Sequence, residues 1–397
     1  MRAVYVSSLL SEAAFAGCFP DPGKSPGQAV QKYHRLLARG LARNGAEVIA
    51  LSAPPVTRRN TRARFVRLRP DTEEGVRFSY LPVLLVPVLK HLVTLFTAFF
   101  RTLRFVTRDS FVICDTLNVT VSAGARAAAF LRRTPCIGIV TDVPDMMSEH
   151  PSRINRINRR LLAGYDAYLF LTEQMNSLIN KRGRPYLVAE GQVDAALGET
   201  PPSPVEKDDP PVLLYAGMLH ERYGILRLAQ AFAMTRLPAR LVIYGTGDAE
   251  DRLRGIAAKD PRIRLMGQRD NAEVVAHERR AALLINPRPS DAEFTKYSFP
   301  SKNMEYMASG TPVLTTRLPG MPEEYRDHVY LFDGEQPEEM AAALTRVMGE
   351  GAAALAQRGA AARAFVLQNK TNVRQAARLI AFAAALTGKA GKRHGAG

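Results

Sequence analysis

Cysteine is scarce in this chain of 397 residues: Cys18, Cys114 and Cys136 are odd in number and share no metal-type spacing. A disulfide framework is therefore not expected, and a reducing, cytoplasmic setting fits best. Acidic residues are also in deficit, Asp+Glu 38 against Lys+Arg 54, for a formal net charge of +16. Such a balance attracts polyanions, whether nucleotide-sugar phosphates, anionic lipid headgroups or nucleic acid. The RRM, KH and C2H2 spacings are missing, and the basic residues are not interleaved with aromatics, so no nucleic-acid partner is expected. A long uninterrupted apolar run is missing as well. The most apolar stretch, Leu81 to Val106, is broken by Pro82, Pro87 and Lys90-His91. A lysine near mid-span costs about 2.5–3.5 kcal/mol on insertion scales, which speaks against a membrane span. The first apolar run, Val4-Tyr5-Val6, is too short for a signal-peptide core. The seven histidines form no cluster and no Asp-x-Asp stands at a strand end, so neither a metal nor a histidine triad is expected.

What is present is a repeated alternation of short apolar runs and amphipathic ones. Residues 4–8 read as a strand. A loop rich in Gly, Pro and Ser runs to Gly27 and reads as a binding loop. A helical pattern follows, with Val30, Tyr33, Leu36, Leu37 and Leu41 on one face, and residues 47–52 form a second strand. Strand, helix, strand over fifty residues predicts a βαβ unit and a parallel sheet. Strand-like runs recur at 111–115, 135–142, 167–171 and 186–189. The last part of the second run, Asp142-Val143-Pro144-Asp145, lies at a strand's carboxyl end, where open α/β sheets bind ligands. The same grammar restarts with strands at 212–216, 241–244, 263–266 and 282–285. These alternate with helices and are followed by alanine-rich helices at 338–348 and 352–367. The expected division is a first domain over 1–198, a proline-rich linker over 199–211, a second domain over 212–370 and a disordered tail over 388–397. A last helix over 371–387 is long enough to cross back to the first domain.

From Lys90 onward, Lys90, Thr94, Thr97, Arg101, Arg104 and Arg108 recur every three or four residues. Two readings stand side by side: a helix lying in a membrane interface with a cationic stripe, or a core helix with a solvated basic edge.

The stretch that organises the second half is Tyr297-Ser298-Phe299-Pro300-Ser301-Lys302-Asn303-Met304-Glu305, closed by Gly310 and Pro312. It predicts a helix opening near Pro300 with a left-handed glycine cap at Gly310, then a strand at 313–316. Amides at the helix start favour an anion. Lys302 adds a full positive charge, and Glu305 shares its face as an acceptor for hydroxyls. Gly217, Gly245 and Gly247 follow strands, where a ligand approaches the backbone closely. Arg288 and Arg222 are further candidate cations for a diphosphate. Asp142 is a candidate to receive an acceptor's proton or to orient a sugar.

Leu214-Tyr215-Ala216-Gly217, Leu241-Val242-Ile243-Tyr244-Gly245-Thr246-Gly247, Ile263-Arg264-Leu265-Met266-Gly267 and the 297–313 stretch together resemble glycosyltransferase family 4. In the first half, Gly27 to Val48 and Glu190-Gly191-Gln192-Val193-Asp194 extend that resemblance. It implies a GT-B fold, two Rossmann-like domains with parallel sheets facing a central cleft. It also implies retaining, metal-independent transfer from a nucleotide-diphosphate sugar, which is a substrate, so no cofactor is expected. Catalysis would rest on Asp142 and Lys302, and donor binding on Gly217, Arg222, Gly245, Gly247, Arg288, Ser298, Phe299, Ser301 and Glu305, with Glu305 on the ribose. Three positions depart from the family pattern: Tyr297 stands where a first glutamate is usual, and Met218 and Tyr223 stand where an arginine and a lysine are usual. The form around Ser298 resembles a bacterial branch that builds surface polysaccharides. A saccharide or lipid-linked saccharide acceptor is thus implied, with peripheral attachment to the inner face of an anionic membrane through 81–108. A catalytically silent nucleotide-binding protein and a nucleotide-sugar epimerase are the alternatives.

Overall fold

A computed structural model describes residues 1–20, 28–143, 158, 161–199 and 205–392. The chain divides into two compact units, Met1–Asp194 together with the segment from Thr371 onward, and Ala195–Lys370. Each has its own apolar core.

The first unit opens with β1 (Arg2–Ser7), α1 (Glu12–Cys18), α2 (Gln28–Arg43) and β2 (Glu47–Ser52). Four short strands follow: β3 (Phe65–Val66), β4 (Asp71–Glu73), β5 (Val76–Tyr80) and β6 (Val83–Leu84). Then come α3 (Leu89–Phe105), β7 (Ser110–Asp115), α4 (Val119–Leu131), β8 (Cys136–Val140), β9 (Ala167–Phe170), α5 (Glu173–Ile179) and β10 (Tyr186–Val188). Eight strands form one sheet in the order β10-β9-β8-β7-β1-β2-β5-β4, parallel except for the β4–β5 pair. Central strands such as β1 and β7 are almost wholly buried, the mark of a parallel sheet covered on both faces. The expected loop between β1 and α2 contains a helix. Ser11 caps it, its hydroxyl accepting from Ala14 N at 3.1 Å, and the Ser11 hydroxyl in turn donates to Asp71 at 2.6 Å. The part of that loop at 21–27 lies outside the described residues.

Helix α3 corrects an expectation. Thr94, Ala98 and Thr102 are buried, whereas Leu89, Leu92, Phe96 and Phe100 are exposed. The predicted stripe of Lys90, Thr94, Thr97, Arg101, Arg104 and Arg108 is thus not one solvent-facing edge. Its small members pack on α4, whose own buried face is Val121, Ser122, Gly124, Ala125, Ala128 and Ala129. Small residues on both helices allow close backbone approach: a Cβ at Gly124 would lie 2.3 Å from Leu95 O. Among the described residues no helix is long and apolar enough to cross a membrane.

The second unit starts with α6 (Ala196–Glu199) and β11 (Val212–Ala216), then α7 (Ile225–Met234), β12 (Arg240–Tyr244), α8 (Glu250–Ala257) and β13 (Ile263–Gly267). It continues with α9 (Asn271–Arg280), β14 (Leu283–Asn286), α10 (Ser301–Ser309), β15 (Val313–Thr315), β16 (Tyr330–Leu331), α11 (Pro337–Gly349) and α12 (Ala352–Asn369). Its six-stranded sheet runs β13-β12-β11-β14-β15-β16, and every pair is parallel. Much of the expected linker is bonded to this unit rather than free. Lys207 Nζ donates to Arg279 O at 2.9 Å, Ala281 O at 2.8 Å and Thr311 Oγ1 at 3.1 Å, and Asp208 pairs with Arg280 at 2.6 Å. The lysine thereby satisfies carbonyls at the end of α9.

Helix α13 (Asn372–Lys392) belongs to the first unit. Asn372 N donates to Val193 O at 2.8 Å, and its side chain donates to Leu36 O of α2 at 3.1 Å. The helix continues through Lys392, into the tail expected over 388–397, because Gly388 and Gly391 lower helix propensity without blocking helical φ. Residues 393–397 lie outside the described residues.

Candidate nucleotide-sugar site

In the second sheet, connections leave β11 in opposite directions: β12 lies on one side and β14 on the other. The crevice at the carboxyl ends of β11 and β14 is therefore the topological switch point, where open α/β sheets hold ligands. Gly217 follows β11 there, and Arg288 stands two residues past β14.

Helix α10 is fastened over this point by its buried polar residues. Ala216 N donates to Tyr306 Oη at 2.9 Å, and that hydroxyl donates to Ala216 O at 3.2 Å. Asn303 accepts from Asn286 Nδ2 at 2.7 Å and donates to Thr315 Oγ1 at 3.2 Å, tying the helix to the ends of β14 and β15. No side chain caps the helix start at Pro300, and Gly310 ends the helix at φ 82° in the left-handed region. Ser301 and Glu305 stay exposed and Lys302 is half-buried.

Lys302 points back over β11. Its Nζ lies 4.9 Å from the centroid of the Tyr215 ring, and a Cβ at Gly217 would come within 1.3 Å of it. Glycine at 217 is therefore a requirement of the ammonium's position. Burial pushes the Lys302 pKa down to about 8; the Glu305 carboxylate opposes that and Arg288 adds to it.

Arg288 packs on two rings set edge to face, with its guanidinium carbon 5.0 Å from the centroids of both Tyr223 and Phe294. Its Nη1 donates to Ser298 Oγ at 3.3 Å, and burial lowers its pKa. Arg222, which is exposed, lies over the same rings at 5.1 and 5.9 Å and donates to Tyr223 Oη at 3.3 Å. Tyr223, an uncharged departure from the family pattern, is thus a platform for two guanidiniums. His220 Nδ1 lies 3.0 Å from Asp248 Oδ2 and joins the loops after β11 and β12; its hydrogen bond lowers the Asp248 pKa.

Three further expected donor residues also have packing duties. The Phe299 side chain is buried against Tyr325, with ring centroids 5.2 Å apart, so it anchors the loop and leaves only its backbone near the helix start. Gly245, at φ 127°, leaves room for Gly217 O, which a Cβ would approach to 1.8 Å. Gly247 does the same for Leu219 O at 2.4 Å. The need for glycine at both positions is met by loop against loop. Lys302, Arg288, Arg222, Ser298 and Gly217 gather at or beside the switch point. Asp142 is half-buried just past β8 of the first unit, and Pro144 and Asp145 lie outside the described residues.

Several participants were not read from the sequence. Tyr215, Tyr306 and Asn303 looked like strand and helix filler, and Phe294 carried no signal. Nor was any histidine assigned a role, yet His34 is buried in the first unit between Tyr5 Oη, 2.6 Å from Nδ1, and Asp115 Oδ2, 3.4 Å from Nε2. Burial alone would raise the Asp115 pKa. The neighbouring His34 imidazole and hydrogen bonds from Leu117 N and Asn118 outweigh it and hold the carboxyl below its usual range. This chain links β1, α2 and β7 at that sheet's own switch point.

Two family models match the chain: "Glycosyl transferase 4-like domain" over residues 28–188 and "Glycosyl transferases group 1" over 210–350. The chain belongs to the GT-B glycosyltransferases. No curated protein sequence matches it significantly. Solved structures share the fold of this glycosyltransferase at low identity. Anabaena HepE in complex with UDP is 14% identical with a TM-score of 0.64, covering 96% of this chain and 100% of its own. Sucrose-phosphate synthase from Thermosynechococcus elongatus is 15% identical with a TM-score of 0.67, covering 98% and 100%. The α,α-trehalose 6-phosphate synthase from Burkholderia multivorans is 14% identical with a TM-score of 0.63, covering 100% and 99%.

Proposed function

We propose that this glycosyltransferase moves a sugar from a nucleotide-diphosphate sugar to a saccharide or lipid-linked saccharide acceptor, with retention and without a metal, in cell-surface polysaccharide or glycoconjugate synthesis. The carrying observation is the Lys302 ammonium, which occupies the space over Gly217 at the switch point beside Arg288. In this reading the diphosphate lies on Lys302, Arg288, Arg222, the Ser298 hydroxyl and the first-turn amides of α10, and Glu305 accepts from the ribose hydroxyls. As the glycosidic bond breaks, negative charge grows on the departing diphosphate. Cations fixed there beforehand stabilise it, and removing one such donor typically costs about 10²–10³ in rate. Asp142 receives the acceptor's proton or orients the donor sugar. Retention rests on the family 4 resemblance. Nucleotide-sugar use is supported by HepE, solved with UDP and with UDP-glucose. The acceptor binds the first unit, and the enzyme sits on the inner face of an anionic membrane through 81–108.

Turnover of a panel of UDP-, GDP- and ADP-sugars against lipid-linked acceptors tests this. Lys302→Ala is expected to lower kcat on the best donor by about 10²–10³. Nucleotide binding by the unaltered chain with no transfer to any acceptor favours instead a catalytically silent protein, the reading that Met218, Tyr223 and Tyr297 motivate. Conversion of the donor without any acceptor favours an epimerase.

A further inference from the structure

A second concentration of charge lies in the first unit, in the segment that follows β2. Residues 53–70 hold Arg58, Arg59, Arg62, Arg64, Arg67 and Arg69 and not one acid. All six arginines are exposed, and among the described residues none pairs with a carboxylate. The segment is not loose. Its β3 pairs antiparallel with β6, Phe65 opposite Leu84 and Val66 opposite Val83, and Leu85 N donates to Arg64 O at 2.7 Å. Lys90 at the start of α3 reaches Val56 O at 3.4 Å. The arginine arm is therefore stitched to the residues that lead into α3.

That helix turns its large apolar residues outward. Leu89, Leu92, Phe96 and Phe100 follow one another at intervals of three, four and four, so they share one face. Phe96 is 57% and Phe100 64% exposed. Phe65 in the arm is 54% exposed, and at the end of α4 so is Phe130, at 86%, where Arg132 Nη2 reaches Leu103 O of α3 at 3.4 Å. Arg101, Arg104 and Arg108 add exposed cations, and Asp109 is the one acid between residues 82 and 114.

Large exposed apolar side chains beside unpaired arginines call for a partner that is anionic at its surface and apolar beneath. A second copy of this chain would set arginine against arginine. A nucleic acid would satisfy the arginines but leave a row of exposed leucine and phenylalanine against its charged backbone. A bilayer with acidic lipids offers phosphates at headgroup level and hydrocarbon a few ångströms below, the depth reached by interfacial helices. The planar guanidinium suits phosphate in particular.

We propose that the arginine arm over residues 58–69 and the outer stripe of α3 form one docking surface for an anionic phospholipid bilayer. The arm holds lipid phosphates while Leu89, Leu92, Phe96 and Phe100 enter the acyl layer. This rests on the peripheral-membrane reading of 81–108 and goes beyond it by assigning the arm.

The test is flotation of the full chain with phosphatidylcholine vesicles and with vesicles that also contain phosphatidylglycerol. Binding is expected on the acidic vesicles, weakening as salt is raised. Each arginine near the surface is worth about a fivefold change in partition, so Arg58→Gln/Arg59→Gln/Arg62→Gln is expected to lose on the order of 100-fold. Leu92→Ser/Phe96→Ser is expected to abolish flotation while thermal unfolding and nucleotide binding stay unchanged, which separates lost docking from lost folding. If the triple arginine variant floats like the unaltered chain, the arm has no such role although the reading of 81–108 survives. If the unaltered chain never floats, both fall. Tighter binding to an RNA oligonucleotide than to acidic vesicles, lost in the same triple variant, would also overturn the assignment.

Discussion

Lys302 keeps its charge in a place that disfavours it. Its pKa is pushed down to about 8 by burial, against an ordinary value of 10.5. The charged form is thus the destabilised one in the folded chain. Below pH 8 both folded and unfolded chains carry the proton and the fold bears the full penalty. Between pH 8 and 10.5 the unfolded chain holds more proton, so stability rises with pH. Lys302→Met is therefore expected to raise the unfolding free energy at pH 7, by at most roughly 3 kcal/mol, with the gain shrinking to nothing above pH 10.5. A nucleoside diphosphate reverses the logic, because its charge favours the protonated lysine. Affinity should be flat just below pH 8 and fall as pH rises beyond it, with proton uptake visible by calorimetry in buffers of different ionisation enthalpy. A fall of equal steepness in Lys302→Met would detach that proton from Lys302. At this scale the sequence was a partial guide. A lysine, a glutamate and glycines after strands are visible as types at spacings. The aromatic contacts of Arg288 join Tyr223 to Phe294, and the Tyr306 bond to Ala216 spans ninety positions. No local pattern announces either.

At the scale of elements, periodicity tells that a helix has two faces but not which one the fold takes in. Helix α3 shows the limit: its 3.6-residue repeat was legible, but the repeat left open which face is taken in, and the fold takes in Thr94, Ala98 and Thr102. What decides is the partner. The face of α4 is built from Gly124, Ala125, Ala128 and Ser122, and only small residues such as Thr94 and Ala98 fit against it. Gly124→Val should drive a side chain into Leu95 O and cost about 1–3 kcal/mol or more, measured as a shift of the urea midpoint. An unchanged midpoint would mean that the helices separate freely. Strands β2 and β11 fell where apolar runs predicted them, at Glu47–Ser52 and Val212–Ala216. The pieces from β3 to β6 did not, because strands of two to five residues offer too few alternations to register.

For the whole molecule, the division into two units was legible as a grammar that starts twice, and it follows from two separate apolar cores. The exact joints were not. The split falls between Asp194 and Ala195, within the stretch expected to belong to the first domain, because α6 and the segment held by Lys207 pack with the second unit. At the other end Thr371 pairs with Val193 and starts a helix whose partner is α2, more than three hundred residues earlier in the chain. Gly40 of α2 is the point of closest approach, since a Cβ there would lie 2.2 Å from Asn372 O and 3.0 Å from the Ala376 methyl. Gly40→Val should therefore lift α13 off α2 and uncover Ala376, Leu379 and Ala383, all fully buried. Because the cores are separate, the damage should stay local. Hydrogen exchange is expected to accelerate in α2, α13 and β1, while β11, β12 and β14 exchange as in the unaltered chain. Equal acceleration in both sets would mean that the two cores unfold as one cooperative body.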